Sequence, residues 1–269
     1  MVKFPFSTGR GRRARRSRDK SPLRDLAVAG HDLDLRRLGS PYGGWVVAHS
    51  QSLEKGTFIS AGAGEDISFD VEIAQLYSMR GVLIDPTPRA VAHVDETFRA
   101  LGMSRAEPYT LHGTQPVHSY DLSGLVEDSL TLIPKALWVD DHGVEFIPPA
   151  NPDNVSHSIH PKTGNADSAP LRVDTVSAQS LAVHYGDDVV LIKLDIEGAE
   201  VDVIEPLLAS FPRVEQFLVE FDAEKVIRDD KEARMSQALA ALEQHGFRVV
   251  HRSGRNILFF RELSVPTGP

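Results

Sequence analysis

The stretch Thr57 to Ala74, TFISAGAGEDISFDVEIA, decides the fold. Phe58, Ile59 and Ala61 form a short apolar run with the character of a buried strand. Gly62 and Gly64 follow at once, and without Cβ atoms they permit a sharp turn and a close backbone approach to a ligand. From Glu65 on, Ile67, Val71 and Ala74 recur at helical spacing, with Phe69 and Ile73 widening the apolar face. Strand, Gly-x-Gly and helix in that order predict the first turn of an α/β, doubly wound nucleotide-binding fold.

The neighbours of the glycines narrow the ligand. A dinucleotide fingerprint places a third small residue three positions past the second glycine, where this chain has Ile67, with Ser68 next to it. Glu65 and Asp66 stand at the mouth of the helix, so a pyrophosphate on the helix amides would face two carboxylates. A ligand carrying positive charge suits that mouth. S-adenosylmethionine fits: it has an ammonium, a sulfonium, a carboxylate and no phosphate. Acids also favour a helix dipole for purely structural reasons, but that preference leaves the glycines unexplained. Ala61, Gly62, Gly64, Glu65 and Asp66 are therefore candidate cofactor contacts.

A second apolar run, Gly81 to Ile84, ends in Asp85, which is placed to grip a ribose diol. Thr87 and Pro88 read as the N-cap and first residue of a second helix. Val91, Val94, Phe98 and Leu101 share one face of it, and Gly102 ends it. Tyr109 to Gly113 is the third-strand candidate, with Asp121 following near the adenine. Leu137 to Val139 and Val144 to Ile147 read as a hairpin turned by Asp140 to Gly143. They fall in a long excursion between core strands, about residues 114–186. Insertions of that length are functional or disordered, and the apolar runs argue for function, so substrate recognition is placed there. His157 and His160 lack the companions of a zinc site, and no metal is expected. His157 is kept as a proton acceptor or substrate contact.

Val189 to Leu194 is the strongest strand, a near-continuous apolar run of the kind covered on both faces. It leads into Asp195-Ile-Glu-Gly-Ala-Glu200. In an open α/β sheet the ligand crevice lies outside the carboxyl ends of the strands, where the strand order reverses. Asp195 and Glu197 would project there beside the cofactor, able to position a hydroxyl or take its proton. One acid would cap the following helix; three within six residues exceed that need. Pro206 predicts an early end or a kink in that helix.

Four blocks, Ser60 to Asp70, Ile84 to Pro88, Asn151 to Ile159 and Lys193 to Glu200, resemble the FkbM family of methyltransferases, the last block most specifically. The resemblance covers most of residues 56–222. It implies a class I, Rossmann-like fold, S-adenosylmethionine as methyl donor, and O-methylation of a hydroxyl on a sugar, glycolipid or natural product. It also implies cofactor contacts at Gly62, Gly64 and Asp85, with Asp195 and Glu197 at the active-site rim. Family members often show a histidine soon after the glutamate of the fifth strand; here Glu220 is followed by Phe221, Asp222 and Ala223.

The remaining bounds agree. A chain of 269 residues with 41% hydrophobic content can bury one sizeable core. Met235, Leu239 and Leu242 stripe a helix stopped by Gly246, and residues 247–251 and 256–260 flank Ser253-Gly254 as a final antiparallel hairpin. A mostly parallel sheet of seven strands is the expectation. Six arginines between Arg10 and Arg18 predict a disordered basic tail over residues 1–22, with weak contact to anionic surfaces as its functional reading. Residues 23–55 read as an N-terminal lid segment and 56–269 as the methyltransferase domain. Beyond the tail the chain is strongly acidic, which argues against nucleic acid as the globular part's partner. The tail lacks the apolar core of a secretory signal, and a cytoplasmic enzyme is expected. An NAD(P)-dependent oxidoreductase and a non-catalytic cofactor-binding module are the competing readings.

Overall fold

The computed structural model describes residues 21–149, 157–162 and 169–263, so most of the expected basic tail lies outside the described residues. The core strands are β1 (Thr57–Ala61), β2 (Arg80–Ile84), β3 (Leu130–Ile133), β4 (Val189–Leu194), β5 (Gln216–Glu220), β6 (Arg248–Ser253) and β7 (Asn256–Phe260). The helices are α1 (Ser68–Tyr77), α2 (Pro88–Arg99), α3 (Ala178–Tyr185), α4 (Glu200–Ser210) and α5 (Lys231–Gln244). The strands form one seven-stranded sheet in the order β3-β2-β1-β4-β5-β7-β6. β1 pairs in parallel with β2 and β4, β2 with β3, and β4 with β5. β7 runs antiparallel to both β5 and β6. This is the class I methyltransferase arrangement: a doubly wound, Rossmann-like sheet whose order reverses between β1 and β4, closed by an antiparallel hairpin.

The local chemistry explains the layout. Every residue of β1 and β4 is buried, because successive side chains enter apolar layers on opposite faces of the sheet. Ile59, Ala61, Ile192 and Leu194 join the layer with α4 and α5, whereas Phe58 and Leu191 join the one with α1. No helix of the described residues is long and apolar enough to cross a membrane.

Several expectations are corrected. Tyr109 to Gly113 is not a strand. Its polar groups are taken by side chains: the Tyr109 hydroxyl donates to Glu72 (2.8 Å), the Thr110 amide donates to Gln115 Oε1 (2.8 Å), and Gln115 Nε2 donates to the His112 carbonyl (2.8 Å). The third strand is Leu130–Ile133 on the open edge of β2, so the long excursion starts after Ile133 rather than near residue 114. The hairpin of residues 137–147 does not form either. Ala136–Trp138 pairs in parallel with Thr175–Ser177, and Val144–Phe146 pairs antiparallel with Leu171–Val173. Asp141 explains the choice, since its carboxylate accepts the Ser177 amide (2.8 Å) and the Ser180 hydroxyl (2.8 Å), tying the turn to the later segment.

Helix α1 begins at Ser68 rather than at Glu65, with the Ser68 amide donating to Asp66 Oδ1 (3.1 Å). Helix α4 runs through Pro206 to Ser210. Leu207 and Leu208 beyond it are buried; at roughly 1.5–3 kcal/mol each, their burial matches or exceeds a proline penalty of about 3 kcal/mol. Within the N-terminal segment, Leu35–Leu38 pairs antiparallel with Trp45–Ala48, and this pair leaves β1 with a sheet neighbour on each side. It lies over β5, where buried Gln216 donates to the Ala48 carbonyl (2.7 Å) and accepts from the Ala48 amide (2.9 Å).

Candidate active site

A crevice opens at the carboxyl ends of β1 and β4, where the strand order reverses. The glycine turn contributes Gly62, Gly64, Glu65 and Asp66, and the end of β2 contributes Asp85. Lys193, Asp195 and Glu197 enter from β4 and its following turn, Phe146 and His157 from the long excursion, and Tyr42 and Trp45 from the N-terminal segment.

The two glycines have different tasks. Gly62 has φ +82°, and a Cβ there would stand 1.8 Å from the Asp195 carbonyl oxygen. It lets the ends of β1 and β4 meet, with the Asp195 amide donating to the Ala61 carbonyl (3.0 Å). Gly64 has φ +60°, and a Cβ would meet nothing within 4 Å, so it borders open space. That face is where a ligand can approach the backbone.

The acids around the turn are more engaged than their sequence suggests. Glu65 is paired with Arg89 (2.6 Å). Asp66 accepts from the Ser40 hydroxyl (2.6 Å), the Gly43 amide (3.1 Å) and Gln115 Nε2 (3.2 Å), so it ties the N-terminal segment and the loop at residue 115 to the turn. Asp85 accepts the Gly64 amide (3.0 Å) on Oδ2, and the Thr87 amide (2.9 Å) and hydroxyl (2.6 Å) on Oδ1. A carboxylate offers about four acceptor sites. One of them, on Oδ2, remains for a ligand hydroxyl. Thr87 thus spends its hydroxyl on Asp85 and makes no side-chain cap. Two sequence candidates fall outside the crevice. Ala61 is fully buried and offers only its backbone. Asp121 sits in an exposed turn, accepting from the Ser123 amide (3.2 Å) and hydroxyl (2.7 Å).

Asp195, Glu197 and His157 do come together. Desolvation pushes the Asp195 carboxyl up to about 7, the nearby Lys193 charge opposing and Glu220 and Glu197 adding to the rise. Glu197 has φ +59°, an uncommon conformation for a residue with a side chain. The surroundings hold it: its carboxylate pairs with Lys162, and its carbonyl accepts the Ser158 hydroxyl (2.8 Å). Ser158 also pairs through its backbone with Ile147 (2.8 and 3.2 Å). The same segment is anchored by His160, which meets Asp202 (2.8 Å). His157 then stacks on Phe146, with ring centroids 6.4 Å apart and planes at 26°. The sequence offered no signal for these ties.

Glu200 shapes the turn from behind. It is fully buried, and its Oε1 accepts the amides of Ile196 (3.2 Å) and Gly198 (2.9 Å). Burial pushes its carboxyl up to about 8. A folded-state pKa above the unfolded value means the native state binds more protons between about 4.5 and 8, so stability falls as pH rises through that window. Glu200→Gln is therefore expected to flatten the decline in melting temperature between pH 5 and pH 8. An unchanged decline, measured by calorimetry at several pH values, would show that another group controls it.

Residues 126–249, from just before β3 into β6, match the family model described as the methyltransferase FkbM domain. Over that segment the chain is similar to FkbM methyltransferases, a family whose methyl donor is S-adenosylmethionine. The match leaves β1 and β2, and with them the glycine turn and Asp85, on its N-terminal side. No curated protein matches the chain at a significant level. Among solved structures it is similar to the fibrillarin/Nop5p complex at 10% identity and TM-score 0.39, over 78% of this chain and 74% of that one. It is similar to Methanococcus jannaschii fibrillarin pre-rRNA processing protein at 12% identity and TM-score 0.38, over 89% and 85%. Precorrin-6y C5,15-methyltransferase from Geobacter metallireducens GS-15 follows at 12% identity and TM-score 0.35, over 78% and 86%.

The residues present fit the donor. Gly64 leaves an open cradle, Asp85 retains an acceptor site at the tip of β2, and the Asp195 carboxylate lines the same crevice.

Proposed function

We propose that the protein transfers the methyl group of S-adenosylmethionine to a hydroxyl oxygen of a sugar, glycolipid or natural product. The observation that carries this reading is the placement of Asp195. It stands at the carboxyl end of β4, in one crevice with the open Gly64 turn and with His157 on Phe146. A carboxylate whose pKa lies near 7 is suited to accept a hydroxyl proton at neutral pH.

When bound, the cofactor supplies an electrophilic methyl group on a sulfonium. The chain's own residues do the rest. Gly64 and Asp85 hold the nucleoside end, and Glu65 and Asp66 keep the turn in shape through their internal partners. Tyr42 and Trp45 line the crevice from the N-terminal segment. Asp195 orients the acceptor hydroxyl and takes its proton, with Glu197 and His157 beside it. Holding a nucleophile in line can supply on the order of 7–11 kcal/mol of the acceleration; a base contributes about 10²–10⁴-fold. Positioning therefore outweighs proton removal, and the long excursion that frames the crevice matters more than any single acid.

Titration calorimetry with S-adenosylhomocysteine and with NAD tests the donor, and transfer of labelled methyl to a panel of alcohols and amines tests the acceptor. Tight binding of NAD with indifference to S-adenosylhomocysteine would sink the reading. Asp85→Ala is expected to weaken S-adenosylhomocysteine binding by roughly ten- to a hundredfold, the value of a charge-assisted hydrogen bond and its knock-on at Gly64. Turnover at saturating cofactor should change little. A drop in turnover without a drop in affinity would move Asp85 from cofactor to acceptor.

A further inference from the structure

Lys193 is the one charged residue of β4, and it is buried to 3% exposure in the middle of the sheet. An ammonium at such a position costs several kcal/mol unless partners compensate. Those on hand are modest. Nζ donates to the Gly62 carbonyl (3.1 Å) and the Ser60 hydroxyl (3.3 Å), and it lies 5.7 Å from the centre of the Trp45 ring. No described carboxylate forms an ion pair with it. Asp70, in the first turn of α1, and Asp195 compensate it in kind without forming an ion pair, since the Lys193 charge opposes the rise in pKa that burial causes in each. Neither Asp70 oxygen finds a hydrogen-bond partner among the described residues.

An ammonium has three donors, and two are spent on uncharged oxygens. Lys193 lines the crevice beside the glycine turn and Asp195, so the remaining donor and most of the charge are available there. We propose that Lys193 binds the α-carboxylate at the amino-acid end of S-adenosylmethionine. The chemistry around it is selective. Glu65, Asp66, Asp195 and Glu197 line the same crevice, Glu65 and Glu197 each offset by a basic partner, and an entering carboxylate is favoured by a cation of its own. Lys193 supplies that cation, and the carboxylates suit the sulfonium and ammonium of the same ligand. This assignment rests on the methyl-donor reading above.

The test compares two ligands that differ only in the carboxylate: S-adenosylhomocysteine and its decarboxylated analogue, 5′-deoxy-5′-(3-aminopropylthio)adenosine. The wild-type protein is expected to bind S-adenosylhomocysteine about ten- to a hundredfold more tightly than the analogue, as loss of a charged hydrogen bond predicts. Lys193→Met should bind both with equal, weak affinity, whereas a purely structural lysine would leave the preference intact. Lys193→Gln keeps a donor without the charge and should retain only part of the preference; it serves also if the methionine variant fails to fold. Equal binding of the two ligands by wild type, or a preference that survives in both variants, overturns the assignment. A wild-type protein blind to both ligands overturns the methyl-donor reading itself, which is a different failure.

Discussion

Asp195→Asn lowers kcat/KM by about 10²–10⁴-fold, the ordinary contribution of a positioned base, and leaves the affinity for S-adenosylhomocysteine nearly unchanged. Asparagine keeps the shape and one acceptor oxygen but cannot take a proton. The pH profile separates this from simple damage. Desolvation raises Asp195 to about 7, so in the free enzyme the active, ionised form accumulates as pH rises past neutrality. The wild-type kcat/KM should climb with pH and level off above about 7, and that limb should vanish in the variant. If the variant instead loses cofactor affinity with turnover intact, Asp195 holds the cofactor's ammonium and the base lies elsewhere, with His157 next in line.

Gly62→Ala should cost about 2–5 kcal/mol of stability, combining backbone strain at positive φ with an overpacked contact. The added Cβ would stand 1.8 Å from the Asp195 carbonyl oxygen, a backbone atom of the neighbouring strand that cannot swing aside. A fall in melting temperature of roughly 5–15 °C follows for a domain of this size. Gly64→Ala is the control. Its Cβ would meet nothing within 4 Å, so only the conformational strain at φ +60° remains, about 1–2 kcal/mol. Its larger effect should fall on cofactor binding, because the methyl group enters the open cradle. If both alanine variants lose stability equally, the division of labour between the two glycines is wrong.

The contrast marks how far one-dimensional reading reaches. Phe58 to Gly64 and Val189 to Glu200 were legible because their chemistry is local: continuous apolar runs for strands buried on both faces, glycines for the turn, acids at the strand end. The final hairpin, Asn256–Phe260 against Arg248–Ser253, was legible for the same reason. Tyr109 to Gly113 misled because a side chain five residues on, Gln115, supplies the partners a neighbouring strand would have supplied. The runs at 137–147 misled because strand pairing is a choice among distant segments, and Asp141 with Ser177 and Ser180 tipped it.

The sequence by itself pointed to the class of fold, to a crevice at the strand ends and to the cofactor, through residue types in the strand-turn-helix units at Thr57–Ala74 and Val189–Glu200. Tertiary structure alone decided which acids are free to act. Asp66 is consumed by Ser40, Gly43 and Gln115, Glu65 by Arg89, and Asp121 lies outside the crevice, whereas Asp195 remains beside it with Lys193 at its back. A carboxylate's role depends on its partners and its desolvation, and both are set by residues tens to hundreds of positions away, which no local pattern records.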